Sequence, residues 1–133
     1  MENGQLDTDR ILAQVDALYE ENRGEEAEQL MLRSIEEAIS LGDDGARLQM
    51  LNELLGYYRE TSQNDRVFQT AAEAIGHAKD MGLEGTVPYA TTLLNVATAY
   101  RACGRLQESK DYYAQVQEIL FLKPAMSMLS GSS

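Results

Sequence analysis

A chain of 133 residues, 44% of them apolar, is long enough for one domain that buries about two-thirds of its unfolded surface. A net charge of −11 argues against nucleic acid and anionic membrane as partners, because both need a cationic surface. One cysteine, Cys103, excludes an internal disulfide framework and fits a reducing compartment. No apolar run approaches the roughly 20 residues needed to cross a bilayer, and the acidic start MENGQLDTDR is no secretory signal, so the expected address is the cytoplasm. The charge is lopsided. Residues 1–44 carry 13 Asp and Glu against 3 Arg, whereas residues 45–133 carry 9 acids against 8 Lys and Arg. This acidity reads either as a solvated end cap or as a docking surface for a basic partner.

Long proline-free runs rich in Ala, Leu, Glu and Gln favour helix throughout. Asp7 or Thr8 can cap a first helix, on which Ile11, Leu12, Val15, Leu18 and Tyr19 recur at helical spacing. Asn22-Arg23-Gly24 breaks it. A second helix begins at Glu25-Glu26, turns Ala27, Leu30, Met31, Ile35, Ala38 and Ile39 inward, and ends at Gly42. A third runs from about Ala46 to Thr61 with Leu48, Leu51, Leu54, Leu55 and Tyr58 as its apolar stripe. After the turn at Ser62-Gln63-Asn64-Asp65, a fourth runs from about Arg66 to Met81, with Val67, Phe68, Ala71, Ala74, Ile75 and Ala78 inward, and closes at Gly82. Thr86 and Pro88 look like a cap and first-turn proline for a fifth helix ending at Ala102. Gly104 centres the next turn, and a sixth helix runs from about Leu106 to Phe121. In the tail, 123–133, Ala125 to Leu129 has the pattern to start a seventh helix, and SGSS reads as a linker or an appended end.

The elements repeat. Tyr58 and Tyr100 stand 42 residues apart, each late in the first helix of a pair; Gly42 and Gly82 close second helices 40 apart. The period predicts an all-α chain of three antiparallel helix pairs at about 8–42, 45–82 and 86–121, in one domain spanning 1–122. A single pair cannot bury its apolar stripe alone, so the pairs should stack.

Leu93, Asn95, Val96, Ala97, Tyr100, Gly104, Tyr113 and Val116 together resemble a tetratricopeptide repeat. Leu51, Leu54, Leu55, Tyr58, Val67, Ala71 and Ala74 fit the same frame, and Gly24, Ala27, Met31 and Ser34 fit its second-helix half. The first helix matches in either of two registers. Ser62 stands where the family has its turn glycine, Val67 and Ser109 where it has a small alanine, and the closing proline is missing. The period exceeds the common length of about 34 residues and is similar to that of the long-repeat, kinesin light-chain-like or bacterial regulator-type members.

The resemblance implies a right-handed superhelix whose first helices line a concave groove for a peptide or helix of a partner protein. Its groove positions fall on Gln49, Asn52, Glu53, Gly56, Arg59 and Glu60 in the middle pair. In the third pair they fall on Thr91, Leu94, Asn95, Thr98, Arg101 and Ala102. An asparagine amide such as that of Asn95 offers both donor and acceptor to a peptide backbone. Arg59 and Arg101, in equivalent places, form a candidate pair for acidic groups or a C-terminal carboxylate; the alternative is two solvated arginines with stems packed on Tyr58 and Tyr100. No groove position is lysine, so the family's lysine/asparagine carboxylate clamp is missing. A second role is self-association through the open ends, around Ile119, Phe121 and Leu122.

Nothing in the sequence builds an enzyme, a metal site or a cofactor site. His77, near a helix C-terminus, is expected to be partly exposed and explained by the helix dipole. Cys103 reads as small and inert. Asp43-Asp44-Gly45 lacks the alternating ligands of a calcium loop. Glu25, Glu26, Glu28, Glu36 and Glu37 spread over several helix faces without a histidine. Tyr57 and Tyr112 flank the core and are candidate exposed interface anchors.

Overall fold

A computed structural model describes residues 5–122. They form six helices and no strand: α1 Thr8–Glu20, α2 Gly24–Leu41, α3 Asp44–Glu60, α4 Asn64–Asp80, α5 Val87–Ala102 and α6 Leu106–Gln117, followed by a π-helical turn Glu118–Leu122. The tail 123–133, with its expected seventh helix, lies outside the described residues.

Local chemistry places the starts. The Asp7 carboxylate accepts from Arg10 N–H at 3.2 Å, and Asp43 accepts from Ala46 N–H at 3.1 Å. Asp43 also accepts from Leu6 N–H at 2.8 Å, which ties the segment before α1 to the start of α3. Thr86 caps α5 with Pro88 in its first turn.

The ends repeat one device. Asn22, Ser62 and Gly104 all have left-handed backbone, with φ of 60°, 58° and 83°. In each case the next N–H returns to the carbonyl five residues back: Arg23 to Leu18, Gln63 to Tyr58, and Arg105 to Tyr100. The turns between pairs do the same, Asp43 to Ala38 after Gly42 and Leu83 to Ala78 after Gly82. These are Schellman closures, which satisfy carbonyls that the helix end leaves open. Leu18, Tyr58 and Tyr100 are therefore equivalent, and the turn of the first pair sits at Asn22. Gly24, expected as part of that turn, is instead the first residue of α2; a Cβ there would approach the Tyr57 ring to 3.3 Å.

Consecutive helices pack on one another, and α3 packs on α5 as well. α3 and α5 are the most buried helices, with seven buried residues each. One core cluster gathers Val15, Met31, Met50, Leu55, Tyr58, Val67 and Val96; a second gathers Leu48, Leu51, Tyr89, Leu93 and Val116. Ala71, Ala74 and Ala78 are fully buried along α4, so their lack of bulk lets neighbouring backbones approach.

Several expectations need correction. Tyr19 and Ile39 stand outside the core, 38% and 52% exposed. His77 is buried, its Nε2 3.0 Å from the Asp44 carbonyl, so it links α4 to the first turn of α3 and is no dipole-satisfied surface residue. Tyr57 and Tyr112 are half-buried against the first cluster. α2, α3 and α4 each begin one or two residues early because their caps are Arg23, Asp43 and Gln63. The sixth helix does not run regularly to Phe121. Its π-turn brings the consecutive Ile119 and Leu120 against the second cluster and leaves Phe121 outside.

Candidate functional site

The expected groove residues lie on α3 and α5, which pack side by side. Gln49, Glu53, Glu60, Thr91, Leu94, Arg101 and Ala102 are exposed, while Asn52, Gly56, Arg59, Asn95 and Thr98 are half-buried. Asn52 turns toward α5: its amide nitrogen donates to Thr92 Oγ1 at 3.2 Å, and its carbonyl oxygen is buried without a partner. Asn52 thus fastens two helices and is not free for a ligand, whereas Asn95 makes no side-chain bond to another described residue. Thr91 and Thr98 donate their hydroxyls to the carbonyls of Val87 and Leu94, at 3.1 and 2.9 Å, and Thr98 also lies 3.3 Å from the Tyr113 hydroxyl. Both keep acceptor capacity but have committed their donor to their own helix.

The two arginines diverge. Arg59 pairs loosely with Glu60 at 3.7 Å, while Arg101 stands exposed. The arginines that lie over aromatic rings are others, Arg66 over Tyr58 at 5.7 Å and Arg105 over Phe68 at 4.7 Å.

Next to this stripe a cleft of about 550 Å³ opens between the end of α1 and the second half of α3. Tyr19 and Tyr57 stack across it, ring centroids 6.1 Å apart and planes 11° from parallel. Gly24 makes room behind Tyr57. Glu53, Gly56, Arg59 and Glu60 line the α3 side. Burial pushes the Glu53 carboxyl above its ordinary range, and the charge of Asp16 adds to this. The Tyr19 hydroxyl is pushed up to about 12, by burial first and then by Glu53, Tyr57, Glu60 and Asp16. Negative charge therefore converges on this cleft from two helices.

The sequence alone did not point to Tyr19 as a residue of the cleft or to Asp16 as a charge acting on it. The signal that finds them is the turn: with Asn22 matched to Ser62 and Gly104, Tyr19 takes the place of Arg59 and Arg101, and Asp16 that of Gly56 and Thr98. Of the three residues expected at the open end, Ile119 packs on the core and Phe121 is 65% exposed; Leu122 closes the π-turn. A depression of about 640 Å³ between α1 and α2, lined by Leu18, Leu30, Arg23 and Arg33 among others, is larger but contains none of the aromatic and carboxylate groups just described.

Elsewhere, Tyr58 donates to the Glu28 carboxylate at 2.6 Å from a nearly fully buried position, a structural bond that holds α3 to α2. Cys103 donates weakly to Asn64 Oδ1 at 3.2 Å; burial pushes its thiol up, opposite to what a reactive thiolate needs. Among the described residues no group of three or more His, Cys, Asp or Glu is placed to hold a metal ion, and no helix is long and apolar enough to cross a membrane.

Comparison of the chain with family models, with curated proteins and with solved structures returned no match.

Proposed function

We propose that the chain is a tetratricopeptide-like helical-repeat module of the cytoplasm, without catalytic chemistry, that holds a peptide or helix of a partner protein. In this reading the three pairs stack as a right-handed superhelix and α1, α3 and α5 line its concave side. One observation carries it: the same left-handed closure recurs at Asn22, Ser62 and Gly104, at intervals of 40 and 42 residues, with the same returning hydrogen bond. Repeats that share a backbone plan present equivalent side chains on one side, which is how solenoids build extended binding surfaces. The direct packing of α3 on α5 supports the placement of first helices side by side.

Panning a random peptide display library on the protein tests this reading. Selected peptides should lose at least about tenfold in affinity for Asn95→Ala/Leu94→Ala, a change of about 1.4 kcal/mol, while circular dichroism stays unchanged. Selected peptides that bind the double variant as tightly would remove the groove assignment.

A second reading, self-association through the last pair, is favoured by the exposed Phe121 ring. Light scattering over a concentration series decides it: a mass that rises with concentration and returns to the monomer in Phe121→Ser supports it, and a constant monomer removes it.

A further inference from the structure

The face formed by α1, α3 and α5 is chemically graded. At one end, Glu53 and Glu60 line the cleft, with Asp16 close enough to bias Glu53, and Arg59 is the one opposing charge on the cleft wall, already paired with Glu60. The stacked Tyr19 and Tyr57 rings supply a flat aromatic wall beside these carboxylates. Gly56 leaves the floor open, since a Cβ there would meet nothing within 4 Å. Toward α5 the carboxylates disappear: Thr91, Leu94, Asn95 and Thr98 are neutral, and Arg101 in the last turn is the one charge of that helix. Val87 and Leu94, 63% and 42% exposed, lie two turns apart on one side of the helix.

Carboxylates lining a cleft beside an aromatic wall suit one kind of guest. A guanidinium or ammonium group gains from ring faces, about 0.5–2 kcal/mol depending on desolvation, and from charge-assisted bonds to carboxylates. Arginine suits the place better than lysine, because its plane stacks on rings while its edge donates to carboxylates. An acidic guest would meet uncompensated like charge. The acidic excess of residues 1–44 would also draw cationic segments toward this end.

We infer that the partner segment is basic and apolar in turn: a cationic side chain, arginine in first place, seats in the cleft against Tyr19, Tyr57, Glu53 and Glu60, and an apolar side chain lies on Val87 and Leu94. This rests on the peptide-binding reading above and names the chemistry of its ligand.

The test is an amide-shift titration of the isotope-labelled full chain with three short amidated peptides. One carries arginines followed by leucines; one has glutamate for arginine; one has serine for leucine. The arginine–leucine peptide should move the amides of Tyr19, Gly56, Glu60 and Leu94, and its affinity should fall as salt rises. Glu53→Gln/Glu60→Gln should weaken it about tenfold, and Gly56→Leu by a similar factor as the new side chain fills the cleft. Gly56→Leu should keep or raise the melting temperature, because leucine favours helix over glycine, so lost binding cannot be lost folding. If the glutamate peptide binds the same amides as tightly, the cationic assignment fails while the groove reading stands. If no peptide moves amides on α1, α3 or α5, both fail.

Discussion

The Tyr19–Tyr57 cleft and the α5 stripe draw on equivalent positions of the helix pairs, yet one gathers carboxylates and aromatic rings while the other has neutral residues and Arg101 as its one charge. Tyr19, Arg59 and Arg101 hold one repeat position, and Asp16, Gly56 and Thr98 another. Turns and core alanines fix where each residue stands; the side chain placed there decides what that stretch of surface can hold. The same contrast runs through the interior. Tyr58 is 2% exposed and bonded to Glu28 at 2.6 Å, while its counterpart Tyr100 is half-buried and meets Phe68 and Tyr112 edge-on, at 5.1 and 5.5 Å.

That contrast can be broken at several points. The largest effect is expected at the two tyrosines. Tyr58→Ala should cost about 3–5 kcal/mol in urea unfolding, as for other buried aromatic deletions. Tyr100→Ala, which uncovers less, should cost about 2 kcal/mol. Equal costs would show that repeat position, not surroundings, sets the contribution. The turns come next. Gly104→Ala places a Cβ at φ 83° and should destabilise by about 1–2 kcal/mol. Ser62→Gly, at φ 58° in the equivalent turn, should stabilise by up to about 1 kcal/mol. If both were neutral, the shared closure would not matter to stability.

The smallest effect is at Glu53. Its carboxyl pKa is raised in the fold, first by burial and then by Asp16, so the ionised form carries a cost above that folded pKa. The cost is relieved as pH falls through the folded pKa. Glu53→Gln should therefore raise the melting temperature at neutral pH by about 1–2 °C, kept small because the residue is largely exposed. The gain should shrink toward zero as pH falls through the carboxylate range. A gain that grows on acidification would mean that Glu53 has a stabilising partner.

Much of the helical plan was legible from spacing, because apolar stripes on α3 and α4 and the glycines at 42, 82 and 104 are local signals. The first pair was harder. Asn22 and Gly24 are both credible turn residues, and with the turn undecided the register of α1 stayed open, which hid the place of Tyr19 and Asp16 beside the cleft. His77 resisted sequence reading for a different reason. Its burial depends on the Asp44 carbonyl, 33 residues away, which no local pattern predicts. The role of Asn52 was likewise decided across helices, by Thr92. The π-turn at Glu118–Leu122 has no distinguishing signal in EILFL, and we have no physical account of why it forms there rather than a continued α-helix.

The measurement that bears most directly on the account is peptide preference after charge reversal in the cleft. Glu53→Lys/Glu60→Lys, checked for unchanged circular dichroism, should exchange preference: the arginine–leucine peptide weakens by at least about tenfold, and the glutamate–leucine peptide gains by a similar factor. A variant that still prefers the arginine peptide as strongly as the parent would contradict the assignment of this cleft as the place where a partner is read.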